Sequence, residues 1–403
     1  MCSSSSQTSD KQSKPRYELA DVFRLYLDDY LKEHKLSPFQ NKVVDAILKC
    51  RTSDCGGHIL HCPDCDYQRP EYDSCRNRHC PKCQISNKLR WVGDRLKELL
   101  PVPYYHTVVT MPHSLNTLAL YNKEVIYDIF FQAAGHTLNA FARDKKFLGA
   151  KPGFIGMLHT WGQTLSHHVH LHFIVAGGGL SEDSNEWVNL PYSKKFLFPA
   201  KGVSKRLRRR FAELLRKAYY EGKLTFPDDL AHLEHAPTFE AFVNKVAWEN
   251  WNSYVKAPFA SPKEVVKYIG RYTHRVAISN YRILDISGGE VTFSYKKYED
   301  GKTSRETMCL KAEEFIRRFL LHVIPHGFKR IRHFGFLSTG QKTTALELAR
   351  SLLDKTYEKY LQAQEAFQDW FEDTAQKCPN CEHGTLKLLK RIPPWRWVQM
   401  GYG

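Results

Sequence analysis

LHTWGQTLSHHVHLHFIVAGGGL, residues 158–180, reads as two β-strands with a turn near Thr164–Ser166, closed by a glycine run. Its second half, VHLHFIV, is an apolar strand interrupted by His170 and His172. Side chains alternate faces along a strand, so residues two apart project from the same side. Both imidazoles therefore stand together, close enough to share a metal, with Val169, Leu171 and Phe173 turned into the core behind them. The same pattern also fits two histidines on a solvated sheet face. A metal held there needs a third ligand, and the preceding strand offers His159 and Gln163. Gln163 is preferred, because an oxygen donor suits Mg²⁺ or Mn²⁺. His168 is a weaker candidate.

A second pair of reactive groups lies in KYIGRYTHR, residues 267–275. A helix over 262–274 starts after Ser261-Pro262 and places Tyr268 and Tyr272 at i and i+4, on one face. An aromatic core stripe has the same spacing. Lys267, Arg271, His274 and Arg275 make the surround cationic, which suits a core poorly and favours a phenolate. A phenolate can attack a phosphodiester and stay attached to the product.

Upstream, seven of the chain's eleven cysteines fall between Cys50 and Cys83. Clustering of this kind in a reducing compartment points to metal rather than disulfides. Cys62-x2-Cys65 and Cys80-x2-Cys83 read as one four-thiolate Zn²⁺ site of structural type. Cys50, Cys55, His58, His61, Cys75 and His79 are candidates for a second. Cys378-x2-Cys381 with His383 is half a site, with its remaining ligands elsewhere in the chain, in the N-terminal block, or nowhere.

The 403 residues imply two or three domains, with 42% hydrophobic and 25% charged residues typical of a globular protein. A net charge of +16 suggests a polyanionic partner, usually nucleic acid. The grip expected for it is a basic helix over 203–220. Residues 194–217 hold ten Lys or Arg and one Glu, with Lys205, Arg206, Arg208, Arg209 and Arg210 at its centre. Arg330 and Arg332, beside His333, form a second cationic cluster, and Arg271 and Arg275 flank the tyrosines. Tyr104, Tyr105, Trp161 and Trp251 are candidates for base stacking, although core packing suits most of them better. No apolar run is long enough to span a bilayer. The polar N-terminus reads as a tail rather than a signal peptide, so the expected location is the cytoplasm, at the nucleoid. No glycine-rich P-loop with Lys-Ser/Thr occurs.

Taken in order, SCRNRHCPKC (74–83), LLPVPYYHTVVTMP (99–112), LHTWGQ (158–163), HVHLHFIVAGGGL (168–180), RYTHRVAISN (271–280) and RIRHFGFL (330–337) resemble the rolling-circle insertion-sequence transposases of the HUH superfamily. The resemblance runs nearly the full length. It implies an α+β fold, with an antiparallel sheet flanked by helices and a small zinc-binding domain in front. The implied division is a tail at 1–15, a helical zinc-binding domain at 16–98, a nuclease domain at 99–340 and a C-terminal helix with the CxxC tail at 341–403. By the same resemblance His170 and His172 bind the catalytic metal, and Tyr268 and Tyr272 are nucleophiles. The expected activity is cutting and rejoining of single-stranded DNA at element ends, with the host replication machinery as partner. A plasmid relaxase or replication initiator with the same chemistry, and a non-catalytic zinc-finger DNA-binding protein, are the alternatives.

Overall fold

The computed structural model describes residues 14–83, 95, 97–190, 197–256, 259, 265, 276–299, 302–353 and 377–394. Its central feature is an antiparallel sheet. The strands are β3 (Tyr104–Thr110), β4 (Lys151–Trp161), β5 (His167–Leu180), β6 (Trp187–Asn189), β7 (Ser253–Val255) and β11 (Ile331–Gly335). They run in the order β11-β4-β5-β3-β7, with β6 on the far end of β5. The hairpin read at 158–180 is β4–β5. Most of its residues are buried on both faces, which explains why the run looks continuously apolar rather than strictly alternating.

Register decides which side chains share a face. Ile155, Met157 and His159 of β4 stand opposite Ile174, His172 and His170 of β5. On the other flank Tyr104, His106, Val108 and Thr110 of β3 stand opposite Ala176, Ile174, His172 and His170. The reverse face presents Tyr105, Val109, Phe154, Leu158, Leu171 and Phe173 to the largest core. That core is filled by α4 (Lys123–Arg143), α5 (Ala200–Tyr220) and α6 (Ala236–Trp248). Burying aromatic and branched side chains at this density stabilises by about 1.5–3 kcal/mol each.

The Leu, Ile, Phe and Ala stripe of 114–148 and the aromatic-rich run of 238–256 each predict a helix, and in the structure both helices are shorter. The run at 114–148 breaks at Asn122, between α3 (Asn116–Tyr121) and α4. Asn122 leaves helical geometry because its amide is engaged with Thr225: Oδ1 accepts from the Thr225 N–H at 2.8 Å and Nδ2 donates to the Thr225 carbonyl at 2.9 Å. The helix expected over 238–256 stops at Trp248, and Ser253–Val255 instead pair with Thr107–Val109 as β7. Pairing there satisfies backbone groups that β3 would otherwise leave at an open edge.

A second core joins the N-terminal block to residues far downstream. Helices α1 (Leu19–Glu33) and α2 (Pro38–Lys49) pack on the meander β8 (Ile283–Ser287), β9 (Glu290–Glu299), β10 (Lys302–Lys311) and on α7 (Ala312–Leu321). Phe23, Ile47, Phe293, Phe315 and Phe319 share this cluster with Cys50, Cys80 and Cys83. α2 starts at Ser37, whose hydroxyl accepts from the Gln40 N–H while Gln40 reaches back, a reciprocal cap with proline at the first turn. A third sheet has the order β12-β1-β2, from β1 (Gly57–His61), β2 (Gln68–Tyr72) and β12 (Lys387–Ile392). Residues read from sequence as a separate tail thus share a sheet with the cysteine block. α8 (Lys342–Leu352) covers one end of the histidine face through Leu346 and Ala349. No described helix is long and apolar enough to cross a membrane.

Candidate active site

Alternation along β5 places His170 and His172 on one face, and the β4–β5 register sets His159 directly opposite His170. The three rings converge: centroids are 4.9 Å apart for His170–His172, 5.3 Å for His159–His170 and 4.7 Å for His159–His172. One nitrogen from each lies within 4.8 Å of the others. His159 and His172 are buried and His170 is half-buried, so the cluster opens on the His170 side. Trp161 stacks on His159 at 4.9 Å and stiffens it from below.

Neighbours set the tautomers. His170 Nδ1 is 2.9 Å from the His168 carbonyl, which only an N–H can satisfy, so its Nε2 carries the lone pair. His172 Nδ1 is 3.0 Å from His106 Nε2, and the two rings stack at 5.3 Å and 10°. Ligation through His172 Nε2 requires that Nδ1 donate and His106 accept. Burial, followed by Lys256 and His170, pushes the His106 imidazolium down to about 3, so His106 is neutral and able to accept. Such outer partners fix ring orientation and raise ligand basicity. Three neutral imidazoles fit a divalent transition ion, and they suit Mn²⁺ better than Mg²⁺, which prefers oxygen donors.

Gln163, the preferred third ligand, has other partners in this structure. It lies in the turn past the end of β4, where its carbonyl accepts from the Arg282 guanidinium and its Oε1 accepts from the Lys296 N–H at 3.4 Å. His159, the other candidate, stands opposite His170. His106 went unnoticed from sequence: its role depends on pairing between β3 and β5.

Lys267, Tyr268, Arg271, Tyr272, His274 and Arg275 lie outside the described residues. Among the described residues before them, Lys256 N–H donates to the His106 carbonyl at 2.8 Å and Phe259 N–H to that of Tyr104 at 2.9 Å, along the edge of the sheet. Val265, three residues short of Tyr268, is buried with Tyr104, Ile155, Met157 and Ile174, on the histidine face. Tyr254 stands opposite Val108 on that face and is 58% exposed, and the Lys256 ammonium lies 5.6 Å from the ring centroid. Reading this segment as helix hid it.

The cysteines form two clusters, not the single site expected from Cys62, Cys65, Cys80 and Cys83. Cys50, Cys75, Cys80 and Cys83 make one, with Cys83 Sγ 3.4 Å from both Cys50 Sγ and Cys75 Sγ. The neighbouring thiols hold Cys83 far below the usual thiol range. Cys62 and Cys65 meet Cys378 and Cys381 in the other. His58 and His79 belong to neither: His58 Nδ1 is 2.8 Å from Asp73, and His79 is buried near Arg330 and Arg78. The spacing within each CxxC was legible, but which pairs combine depends on tertiary packing.

The proposed nucleic-acid contacts divide in the same way. Lys205, Arg206 and Arg209 are exposed on α5, Arg210 pairs with Glu213, and Arg208 donates to the carbonyls of Trp248 and Glu249 at the end of α6. The sheet stands between this helix and the histidines. Arg330 is buried, and Arg332 is held by Asp128 at 2.6 Å and over the Phe131 ring at 4.4 Å, so neither is a surface cation. Tyr104, Tyr105, Trp161 and Trp251 are all core residues.

An α+β protein with a histidine triad on its central strands and two four-cysteine clusters is thereby defined. The chain belongs to the IS91-type family of insertion-sequence transposases. Residues 153–345 match the family model described as "Putative transposase", and residues 22–111 match the IS91 "Transposase zinc-binding domain". The chain is 41% identical over 392 residues to "Putative transposase y4qJ" of Sinorhizobium fredii (strain NBRC 101917 / NGR234), covering 94% of this chain and 98% of that one. It is 29% identical over 320 residues to the "Transposase for insertion sequence element IS801" of Pseudomonas savastanoi pv. phaseolicola, covering 76% and 72%. No solved structure matches the chain.

Proposed function

We propose that this transposase nicks single-stranded DNA at the ends of its element and rejoins it through a 5′-phosphotyrosine, during rolling-circle transposition. The observation that carries this reading is the convergence of His159, His170 and His172 on the face that the chain reaches at Val265, just before Tyr268. A divalent ion held by those three imidazoles, Mn²⁺ ahead of Mg²⁺, supplies Lewis-acid charge for the oxygens of a scissile phosphate. The phenol of Tyr268 or Tyr272 loses its proton and its oxygen attacks phosphorus. The bond from phosphorus to the 3′ oxygen breaks, and that oxygen leaves with the electron pair and takes a proton. Lys267, Arg271, His274 and Arg275, close in sequence, favour the phenolate and hold phosphate. The phosphotyrosine conserves the energy of the diester, so the 3′-hydroxyl of another strand reverses the step without a nucleotide cofactor. Two tyrosines allow two successive transfers, while strand displacement and synthesis fall to the host replication machinery. Zn²⁺ in the cluster of Cys50, Cys75, Cys80 and Cys83 is structural.

The test is incubation of the purified chain with labelled single-stranded DNA from the element ends, with Mn²⁺ or Mg²⁺, followed by a denaturing gel. A metal-dependent covalent band is expected, absent in His170→Ala/His172→Ala and in Tyr268→Phe, Tyr272→Phe, or both. DNA bound but never linked under any metal overturns the proposal and leaves a zinc-finger binding protein.

A further inference from the structure

The family model for the zinc-binding domain ends at residue 111. It contains all of the Cys50, Cys75, Cys80 and Cys83 cluster and only half of the other. That other half is supplied by residues 313 and 319 positions further along the chain. Cys62 Sγ lies 3.8 Å from Cys381 Sγ, and Cys65 Sγ lies 3.7 Å from Cys378 Sγ. These are separations of ligands around a common ion, far from the roughly 2.05 Å of a disulfide.

The two halves are built alike. Each is a Cys-Pro-x-Cys turn: Cys62-Pro63-Asp64-Cys65 and Cys378-Pro379-Asn380-Cys381. In each, the amide four residues after the first cysteine returns to that cysteine's carbonyl, Asp66 to Cys62 at 2.9 Å and Glu382 to Cys378 at 3.0 Å. In each, the residue after the second cysteine takes positive φ, 57° at Asp66 and 59° at Glu382. Each first cysteine donates its own N–H across the turn, Cys62 to Tyr67 at 2.9 Å and Cys378 to Gly384 at 2.6 Å.

The sulfurs also have donors aimed at them. Backbone amides of Asp64 and Tyr67 serve Cys62 and Cys65, while those of Asn380 and Gly384 serve Cys378 and Cys381 at 3.4 and 3.3 Å. The Asn380 side chain crosses to Cys65 Sγ at 3.5 Å. Such donors fix the orientation of sulfurs arranged around a common ion. Gly384 closes against the cluster so tightly that a Cβ there would stand 2.4 Å from Cys62 Sγ.

Apart from the β1–β12 ladder, the apolar contacts between the two halves among the described residues are Ile59, Ile392 and Tyr72 on one side and Leu60, Tyr67 and Leu386 around the cysteines. A cluster so small cannot hold β12 on β1 by burial, and metal is the usual source of folding energy for such a module.

We propose that Cys62, Cys65, Cys378 and Cys381 bind a second structural Zn²⁺, so that the zinc-binding domain is completed by a segment from beyond the catalytic domain. The proposal is independent of the tyrosine chemistry. Four thiolates select a soft tetrahedral ion, and no open position remains for a substrate.

Metal analysis and thiol mapping of the full chain test this together. The wild type is expected to carry two zinc ions per chain. Cys378→Ser/Cys381→Ser and Cys75→Ser/Cys80→Ser are each expected to carry one. In the wild type, brief alkylation should label the exposed Cys309 and spare Cys62, Cys65, Cys378 and Cys381 alike, and a zinc chelator should release those four as a group. The mapping needs no variant to fold. The proposal fails if the wild type holds a single zinc while Cys378 and Cys381 are labelled as fast as Cys309. It fails equally if Cys378→Ser/Cys381→Ser keeps both ions.

Discussion

His172 Nδ1 and His106 Nε2 face each other at 3.0 Å across the β3–β5 ladder, with their rings stacked. One proton joins them, and its position decides whether His172 offers Nε2 to a metal. His106→Ala should therefore weaken Mn²⁺ binding by about 10- to 100-fold, measured by calorimetry. His106→Gln, which retains an acceptor oxygen, should recover part of the loss. If both variants bind Mn²⁺ like the wild type, His106 is only a core residue.

His159 and Gln163 make opposite predictions. His159→Ala removes one of three ligands and should abolish measurable binding of Mn²⁺ at the sheet. Gln163→Ala should leave binding within about twofold, because Gln163 is engaged with Arg282 and Lys296. Metal titration with unchanged zinc content separates the two. Loss of binding in Gln163→Ala would restore it as a ligand.

The contrast shows what the sequence made legible and what it did not. His170-Leu171-His172 is a local pattern, and alternation alone sets both rings on one face. His159 against Gln163 is a question of inter-strand register and of where β4 ends. Gln163 lies beyond the strand, so parity along the sequence does not place it on the sheet face. Which CxxC meets which is non-local by hundreds of residues, so the nearest pairs were joined first. Strand β7 was missed because an aromatic-rich run of helix-forming residues precedes it, and only the open edge of β3 recruits Ser253–Val255.

His322 predicts acid sensitivity. Its Nδ1 is 3.3 Å from Thr160 Oγ1 and its Nε2 is 3.0 Å from the Leu165 carbonyl. Burial pushes the imidazolium from 6.5 down to about 3, with the Leu165 carbonyl opposing that shift. The unfolded chain therefore takes up the proton first as pH falls. Stability is complete above the unfolded value of 6.5 and drains towards about 3, by up to about 1.4 kcal/mol per pH unit. Between about pH 7.5 and about pH 5 the wild type should lose roughly 2 kcal/mol more than His322→Asn in denaturant unfolding. Equal losses would place the acid-labile group elsewhere.

Along α5 the cations should separate by role. Lys205→Ala/Arg206→Ala/Arg209→Ala removes three exposed charges. It should reduce the slope of log affinity against log salt for single-stranded DNA by about 2, with folding intact. Arg208→Ala should instead lower stability by about 1–2 kcal/mol, since it strips a donor from the Trp248 and Glu249 carbonyls. An unchanged salt slope in the triple variant would remove α5 from the DNA path.

The placement of Cys378 and Cys381 has a consequence for synthesis. On a growing chain the cluster of Cys50, Cys75, Cys80 and Cys83 is complete almost at once, whereas Cys65 and Cys62 wait for partners 313 and 319 residues behind them. At about 5–20 residues per second, that wait is roughly 15 s to a minute on the ribosome. Throughout it, two bare sulfurs are open to oxidants and to competing ions. If that second cluster holds zinc, a copy of the gene interrupted before codon 381 yields a product short of its ligands, so the zinc content of the purified chain registers whether translation passed Cys381.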